Sequence, residues 1–368
     1  MKKYYLRAGI LLAIIFVFAV TIAGAGTGPI KQLPGISQNS QFSFTVFGDT
    51  RTSASGSTDG HDVVFQLARE EVFKAVGETL DSGRALFSLF TGDLIWQGGE
   101  AGYWTSPASR FPNALRTRIY PIPGNHETWN DPLLKQYFSF FPQLEDNHSY
   151  YFTCGNSLFI SLCTGGYIGE YSKAASFAQD QEFTCIKAGY ADLDLPDFLI
   201  RTADAMAAAG TPLKNIFMQY HKPSFSYYKH PPLNKENDPV EALKAFSKNR
   251  PGLQMVVFNG HNHTTELYQP TPNISVLVAG GGGAPQKTLS DSLPSDAVKA
   301  IYKAKGVDEI FWKALGSTTE DRTQRINYWV VDVDNTTNTV RVTEKVMRVA
   351  EAGPVFVDGL VMVNGGFK

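Results

Sequence analysis

The chain has 368 residues, of which 43% are hydrophobic and 18% are charged, so it is long enough for one large globular domain or two moderate ones. Its formal net charge is −2 at pH 7 and no basic stripe runs along it, which argues against an electrostatic nucleic-acid surface.

The N-terminus has the features of an export signal. Lys2, Lys3 and Arg7 precede an uncharged run from Ala8 to Gly26, in which Ala23-Gly24-Ala25 is a typical cleavage pattern. An uncleaved membrane anchor is the alternative, because the run is just long enough to cross a bilayer. Either interpretation places the folded part outside the cytoplasm, in the periplasm or the extracellular space.

Beyond residue 40, apolar stretches with strand character alternate with stretches of helical periodicity. This alternation predicts α/β layers, with an antiparallel share late in the chain. The predicted strands cover residues 42–47, 85–91, 119–122, 150–153, 158–163, 215–220, 253–258, 264–268, 275–278, 327–333 and 339–346. The predicted helices cover residues 63–80, 107–116, 132–141, 195–209 and 239–248.

Composition divides the chain into four units. Residues 1–25 are the signal or anchor, and residues 26–40, rich in Gly, Pro, Ser, Gln and Asn, are interpreted as a linker. The main domain is predicted at 41–346, with a lid or insertion at about 284–325, and residues 347–368 form a C-terminal extension. Residues 164–192 have no clear periodicity and are interpreted as an exposed insertion.

The three cysteines are Cys154, Cys163 and Cys185. An exported protein can keep a disulfide, and three cysteines leave one unpaired. The predicted pair is Cys154 with Cys185, and three buried thiols are the alternative. None of them has a Cys-x-x-Cys spacing, so neither a structural zinc site nor a redox site is expected.

Short polar turns follow several of the predicted strands. The turn Gly124-Asn125-His126-Glu127 comes after Gly48-Asp49 and Gly92-Asp93, and before His221 and Gly260-His261-Asn262-His263. Because α/β sheets carry their chemistry at strand ends, we expect these turns to meet. Imidazole, carboxylate and amide oxygen are ligands for hydrolytic metal ions, and two such ions share a bridging carboxylate. Incidental histidines in turn-forming sequences are the alternative.

This ordered set of motifs resembles the calcineurin-like metallophosphoesterase superfamily over roughly residues 41–346. The resemblance implies a four-layer α/β/β/α sandwich of two mixed β-sheets flanked by helices. It also implies a metal-dependent hydrolase of phosphate esters, in which a dinuclear centre activates water for in-line attack on phosphorus. The glycine run within Val278–Pro285 resembles a turn found after a late strand in some members.

The resemblance further implies a role for each matching residue. Asp93 bridges the two ions, and His126 assists as an acid or by stabilising the transition state. Glu127 orients a neighbour. The other implied ligands are Asp49 and His263 for the first ion, and Asn125, His221 and His261 for the second. The ions are divalent or trivalent, with Mn, Fe, Zn and Co all compatible with these ligands.

The sequence departs from the family pattern at the first turn. Most members have Asp-x-His there, whereas this chain has Asp49-Thr50-Arg51. A guanidinium cannot ligate a metal, so the first ion lacks a ligand or takes one from elsewhere. His61 is the candidate substitute, with a surface helix residue as the alternative. Arg51 is either a clamp for a phosphate group or part of a structural salt bridge.

A second departure concerns the related purple acid phosphatases, which carry a tyrosine where this chain has Trp96. A tyrosinate–iron bond is therefore not expected. The alternatives to a phosphatase are a phosphodiesterase or nuclease acting on nucleotides or lipid headgroups, or a non-catalytic metal- or phosphate-binding exported protein. The expected partner is a small-molecule or lipid phosphoester, with membrane contact only through an uncleaved N-terminus.

Overall fold

The computed structural model describes residues 30–51, 60–131, 133–164, 193–226, 232–233, 235, 238–284, 312–315, 325–351 and 353–367. The strands are β1 (Lys31–Gln32), β2 (Gln41–Phe47), β3 (Phe87–Phe90), β4 (Ile119–Pro121), β5 (Tyr150–Cys154), β6 (Ser157–Ser161), β7 (Asn215–Gln219), β8 (Gln254–Asn259), β9 (Thr265–Thr271), β10 (Ile274–Ala279), β11 (Trp312–Leu315), β12 (Asn327–Asp334), β13 (Thr339–Ala350), β14 (Gly353–Val363) and β15 (Gly366–Phe367). The α-helices are α1 (Gly60–Asp81), α2 (Thr105–Arg110), α3 (Asn113–Arg116), α4 (Asn125–Thr128), α5 (Lys135–Phe140), α6 (Leu195–Ala208) and α7 (Pro239–Ser247).

These strands form two mixed sheets in the described part of the chain. Sheet I has the order β15-β14-β13-β12-β2-β3-β4, with β2, β3 and β4 parallel. Sheet II has the order β1-β5-β6-β7-β8-β10-β9-β11, with β6, β7, β8 and β10 parallel. The antiparallel strands flank these parallel centres. The predicted pair of mixed sheets is therefore confirmed.

The interior between the sheets is rich in phenylalanine. The Phe44 ring of sheet I lies 5.2 Å from Phe159 and 5.0 Å from Phe217, both of sheet II, measured between ring centroids. Because side chains alternate along a strand, Phe47 in β2 points the other way and meets Phe73 of α1 at 6.3 Å. Strand β2 thus packs against sheet II on one face and a helix on the other.

Helices cover the outer faces of both sheets. Helix α1 contributes Val72 and Val76 to the core around sheet I, while α6 and α7 contribute Leu199 and Leu243 to the core around sheet II. In α7 the proline stands at the first helical position, and the Asp238 side chain caps the helix by accepting the Val240 N–H at 3.0 Å. The architecture is the predicted four-layer arrangement.

Some element boundaries differ from the sequence prediction. The single helix expected at 107–116 is two short helices, α2 and α3, because Pro112 stands between them and cannot donate a backbone hydrogen bond. Within the stretch interpreted as a linker, β1 pairs with β5 and Leu33 is buried. Within the predicted C-terminal extension, β14 and β15 widen sheet I. Backbone pairing therefore extends the two sheets beyond the predicted main domain at both ends.

The predicted disulfide between Cys154 and Cys185 is wrong. Cys154 is a buried free thiol, whereas Cys163 is the cysteine that takes part in a disulfide. Cys154 follows Phe152 by two residues on β5, so both side chains enter the core, where burial raises the pKa of the Cys154 thiol to about 12. Cys185 lies outside the described residues.

Both predicted insertions fall largely outside the described residues. Residues 165–192 of the first are not described, and of the second only 284, 312–315 and 325 are. Strand β11 from this second segment pairs antiparallel with β9. None of the helices that the structure describes is both long and apolar enough to cross a lipid bilayer.

Candidate metal centre

The candidate ligands emerge where parallel strands end. In sheet I, Asp49 follows β2, Asp93 follows β3 and Asn125 lies four residues beyond β4. In sheet II, His221 follows β7 and His261 follows β8. Since the carboxyl ends of parallel strands lie at one edge, the two sheets bring these turns to one end of the sandwich.

Four of the six candidate ligands adopt left-handed backbone conformations. The φ angles are 54° for Asp49, 60° for Asp93, 74° for His261 and 40° for His263. Such angles are uncommon for residues with a Cβ atom and cluster at functional sites, where surrounding contacts hold them. In these turns the backbone adopts an unfavourable conformation, and that conformation directs the side chains towards one another.

Two glycines let the turns approach each other. Gly92 has a φ of 95°, and a Cβ atom on it would lie 2.7 Å from both Gly124 N and His221 Nδ1. A Cβ atom on Gly124 would collide with Oδ1 of Asp93. The Gly-Asp and Gly-Asn pairs in the sequence therefore follow from the close packing around Asp93.

One group of ligand atoms converges on the amide oxygen of Asn125. Oδ1 of Asn125 lies 3.1 Å from His221 Nε2 and 3.1 Å from His261 Nδ1. His221 Nε2 also lies 3.3 Å from Asp93 Oδ1, while its Nδ1 lies 2.7 Å from the Thr91 carbonyl oxygen. Because that carbonyl only accepts, Nδ1 carries a proton, and a neutral ring turns its Nε2 lone pair towards two oxygen acceptors. This contact between a lone pair and two oxygens is repulsive unless a metal ion or a proton lies between the nitrogen and the oxygens.

A second group of ligand atoms surrounds the carboxylate of Asp49. One ligand atom each from Asp49, Asp93 and His263 lies within 4.8 Å of the others, and all three residues are buried. His263 Nε2 lies 3.6 Å from Asp49 Oδ1, and both carboxylate oxygens of Asp49 accept the His261 backbone N–H at 2.9 Å. These buried oxygen and imidazole donors fit Mn, Fe, Zn or Co.

Burial and mutual charge shift the pKa values in this centre. Burial raises the pKa of Asp49 to about 8, and the neighbouring Asp93 carboxylate acts in the same direction. Burial also acts to raise the pKa of Asp93, but the positive charge of His221 and its hydrogen bond, helped by Arg51, outweigh burial and hold that pKa well below its usual range. For His221, burial lowers the pKa, yet the Asp93 and Asp49 carboxylates raise it to about 9. Without metal, His221 is therefore an imidazolium at neutral pH.

Glu127 fixes the turns rather than facing the ligand atoms. Its carboxylate accepts the backbone N–H of Asp93 at 2.8 Å and of Leu94 at 2.6 Å through different oxygens. It also accepts the Gly124 N–H at 2.7 Å. One buried side chain thereby joins the turn that follows β3 to the turn that follows β4.

His126 lies beside Asp93 and packs against two indole rings. Its ring centroid is 5.0 Å from that of Trp96 and 4.1 Å from that of Trp129. Nδ1 donates to the Trp96 carbonyl oxygen at 2.7 Å, and Nε2 lies 3.8 Å from Asp93 Oδ2. Burial, helped by the charge of Arg51, lowers the pKa of His126 to about 3, so the ring is neutral and Nε2 holds a lone pair.

Arg51 lies within the centre, whereas the side chain of His61 is not among those that the structure describes. Arg51 Nε lies 3.5 Å from Asp93 Oδ2, and its guanidinium carbon lies 4.9 Å from the centre of the Trp96 ring. His61 is the second residue of α1. The substitution of His61 for the missing ligand therefore remains a prediction.

The glycine-rich turn after β10 connects the first and last ligand turns. Gly282 N–H donates to the Gly48 carbonyl at 3.1 Å, and Ala284 N–H donates to the Asp49 carbonyl at 2.8 Å. Gly280 N–H donates to the Thr264 carbonyl at 3.0 Å, next to His263. Residues 280–284 therefore position both carboxylate and imidazole ligands through the backbone.

Three positioning residues were missed by the sequence prediction. Thr91 orients His221 through its carbonyl oxygen, Trp96 orients His126 in the same way, and the Trp129 ring packs on His126. Backbone carbonyls leave no signal in a side-chain pattern. In the sequence, Trp96 is distinguished only by standing where purple acid phosphatases have a tyrosine. Trp129 lies two residues after the Gly-Asn-His-Glu motif, and this proximity is its only signal.

Comparison with known proteins identifies the family of this chain. The sequence profile of the calcineurin-like phosphoesterase family matches residues 42–265, which is more than half of the chain. The chain belongs to this family. A dimetal phosphatase from Danio rerio is similar in structure to this phosphoesterase at 11% identity, with a TM-score of 0.50 over 88% of this chain and 98% of the other. At that identity the likeness supports the fold alone.

Two other solved structures are more distant. The anchor in the inner membrane complex of Plasmodium shares 14% identity, with a TM-score of 0.45 over 87% of this chain and 88% of the other. A Staphylococcus aureus protein assigned as a 5′-nucleotidase shares 14% identity, with a TM-score of 0.40 over 88% of this chain and 54% of the other. The phosphoesterase has no significant sequence match among curated proteins.

Proposed function

We propose that this phosphoesterase hydrolyses small-molecule or lipid phosphate esters at a dinuclear metal centre. The observation that carries the proposal is the convergence of ligand atoms on Asn125 Oδ1, at 3.1 Å from both His221 Nε2 and His261 Nδ1. Asp93 stands between this group and the group around Asp49 and is the bridging candidate. Family membership supports phosphoester hydrolysis in general.

In this proposal each ion has its own ligand set. The first ion would be held by Asp49, Asp93 and His263, and the second by Asp93, Asn125, His221 and His261. When bound, such ions neutralise phosphoryl oxygens and make water nucleophilic at neutral pH. Buried carboxylates and imidazoles suit this chemistry because they are already oriented before a metal arrives.

Two further side chains would act on the substrate. Arg51 presents guanidinium N–H donors beside Asp93, where they would bind phosphoryl oxygens. His126 is neutral without substrate, and its Nε2 lone pair lies on the Asp93 side. A bound phosphate dianion raises the pKa of a nearby imidazole, so that Nε2 can hold a proton for the leaving oxygen.

Hydrolysis of an aryl phosphate tests this function directly. Protein freed of metal is assayed with and without Mn(II), and then with excess chelator. We expect turnover that depends on Mn(II) and is lost with chelator. Matched aryl monoester and diester substrates separate a phosphatase from a phosphodiesterase. No hydrolysis of either substrate with any of Mn(II), Zn(II), Co(II) or Fe(II) would favour a non-catalytic metal- or phosphate-binding protein.

We also propose that the mature phosphoesterase is exported. The charged N-terminus followed by an apolar run and Ala23-Gly24-Ala25 supports a cleaved signal, and the disulfide at Cys163 suits an oxidising compartment. The full-length gene is expressed with its own N-terminus, and the mass of the purified protein shows whether and where the N-terminal segment is cleaved. A start at Gly26 is expected. An intact N-terminus in the membrane fraction would instead support the anchor.

A further inference from the structure

The bridging candidate Asp93 has two different sides. Its Oδ1 lies 3.3 Å from His221 Nε2 and accepts the His126 backbone N–H at 3.1 Å. Its Oδ2 lies 3.5 Å from Arg51 Nε and 3.8 Å from His126 Nε2. One oxygen therefore faces the ligand set of the second ion, while the other faces a permanent cation.

Arg51 is held firmly in that place. Its backbone N–H donates to the Asp93 carbonyl oxygen at 2.9 Å, which ties it to the turn that carries Asp93. Its guanidinium lies over the Trp96 ring at 4.9 Å, and its side chain is only 16% exposed. An arginine stacked on an indole beside a carboxylate keeps its charge, since it cannot be deprotonated in a protein.

The two ligand sets are consequently unequal. Within the described residues the second ion has four donors, from Asp93, Asn125, His221 and His261, whereas the first has three, from Asp49, Asp93 and His263. One of the three donors of the first set is also the ion-pair partner of Arg51. A metal ion entering the first set meets the guanidinium charge at short range in a buried, weakly screened place.

We infer that Arg51 sets the metal stoichiometry of the centre. The inference rests on the proposed function. The second set binds one ion tightly, and the first set binds its ion at least about tenfold more weakly, the scale on which loss of a supporting group weakens a metal site. In the resting protein Arg51 supplies positive charge where most family members would place a fully ligated ion. Arg51, which departs from the family pattern, and Trp96, which replaces the tyrosine of the purple acid phosphatases, thereby form one stacked pair.

Metal titration of an Arg51→His variant tests this inference. Metal-free full-length protein is titrated with Mn(II) by calorimetry, and bound ions are counted by native mass spectrometry. We expect one tight ion in the wild type and two in Arg51→His, because the substitution removes the cation and restores an imidazole ligand. Arg51→Ala removes only the cation and should tighten binding of the ion in the first set by about tenfold. Arg348→His adds an imidazole at an exposed position and should leave the count at one.

Three outcomes would overturn the inference. The first is a wild type that binds two ions with similar affinity. The second is an Arg51→His variant that keeps a wild-type melting temperature and still binds one ion, with Arg51→Ala unchanged as well. The third is a wild type that binds two ions and loses the ion of the first set in His61→Ala, which would show that His61 supplies the missing ligand. A wild type with no bound ion and no chelator-sensitive hydrolysis would refute the proposed function itself. Two equal ions with hydrolysis would refute only the inequality.

Discussion

The two sheets contribute different chemistry to the same centre. The candidate oxygen ligands come from turns of sheet I, namely Asp49, Asp93 and Asn125. The candidate nitrogen ligands come from turns of sheet II, namely His221, His261 and His263. Sheet I alone would present a cluster of buried carboxylates, and sheet II alone would present neutral rings with no charge to attract a metal ion.

Each set is also oriented by the opposite sheet. The Thr91 carbonyl, at the end of β3 in sheet I, fixes the His221 ring at 2.7 Å. The His261 N–H, from the turn after β8 in sheet II, holds both oxygens of Asp49 at 2.9 Å. The centre therefore forms only when the two sheets are docked, so ion binding and sheet docking stabilise each other.

The most severe way to break this arrangement is to neutralise Asp93, which contacts ligands of both sheets. We expect Asp93→Asn to lower turnover by about a thousandfold, the upper range for removing one electrostatic group from an active site. Its metal content should fall as well, because an amide is a weaker ligand than a carboxylate. Elemental analysis and aryl phosphate turnover measure both effects.

The matched control for that change is Asp358→Asn, an exposed carboxylate on β14 that pairs with Lys345. It should retain the metal content and the rate of the wild type. Wild-type turnover in Asp93→Asn would remove Asp93 from the catalytic centre and would contradict the proposed bridge.

A smaller loss is expected when His126 is removed, since it touches Asp93 but belongs to neither ligand set. His126→Ala should lower turnover by about a hundredfold, the low end for a general acid or base, while the metal content stays unchanged. His148→Ala, a half-buried ring packed on Phe138, serves as the control. Loss of metal together with rate would show that His126 supports the ligands rather than the leaving group.

A weaker effect still should follow from Glu127→Gln, which disturbs only the coupling of two turns within sheet I. Replacing one carboxylate oxygen by an amide NH2 places a donor against a backbone N–H donor. We expect metal affinity to fall by about tenfold, as is usual for groups that orient ligands. Glu100→Gln, at an exposed position, should leave the affinity unchanged. Equal affinities for the two variants would count against the positioning role.

The smallest effect concerns pH. In the metal-free protein the pKa of Asp49 is raised to about 8 and that of His221 to about 9, so the folded state keeps protons that the unfolded chain releases. Between pH 6.5 and 9 the metal-free protein therefore loses stability as pH rises. An ion displaces these protons, so its stabilising effect grows with pH. The shift in melting temperature caused by Mn(II) should be a few degrees larger at about pH 8 than at about pH 6.5. A shift that is the same at both values would contradict these directions.

The sequence predicts which turns meet at one end of the sandwich, for a physical reason. Continuous apolar strands followed by Gly-Asp, Gly-Asn-His-Glu or Gly-His-x-His can be aligned only one way in parallel sheets, with the polar turns at the carboxyl ends. The glycines at 92 and 124 indicate these turns in the sequence, and they are required because close packing around Asp93 tolerates no side chain there. The strand–turn order thus carried both the fold and the set of candidate ligands.

The remaining details depend on contacts between distant parts of the chain. The separate surroundings of the two Asp93 oxygens depend on where Arg51, Trp96 and His221 meet. Cys154 was predicted to pair with Cys185 but faces the core, which only the pairing register of β5 reveals. Composition likewise predicted a linker where backbone hydrogen bonds place β1, since pairing partners are not encoded locally.

The left-handed backbone conformations of Asp49, Asp93, His261 and His263 lower the stability of the folded protein. Each costs roughly one to three kcal/mol and persists only because the surrounding structure imposes it. A chain selected for thermal stability alone would place glycine or asparagine at the two histidine positions. The imidazoles at these positions therefore imply a trade-off between activity and stability at the centre. Substitutions that relax these turns should yield a protein that is more stable and less active.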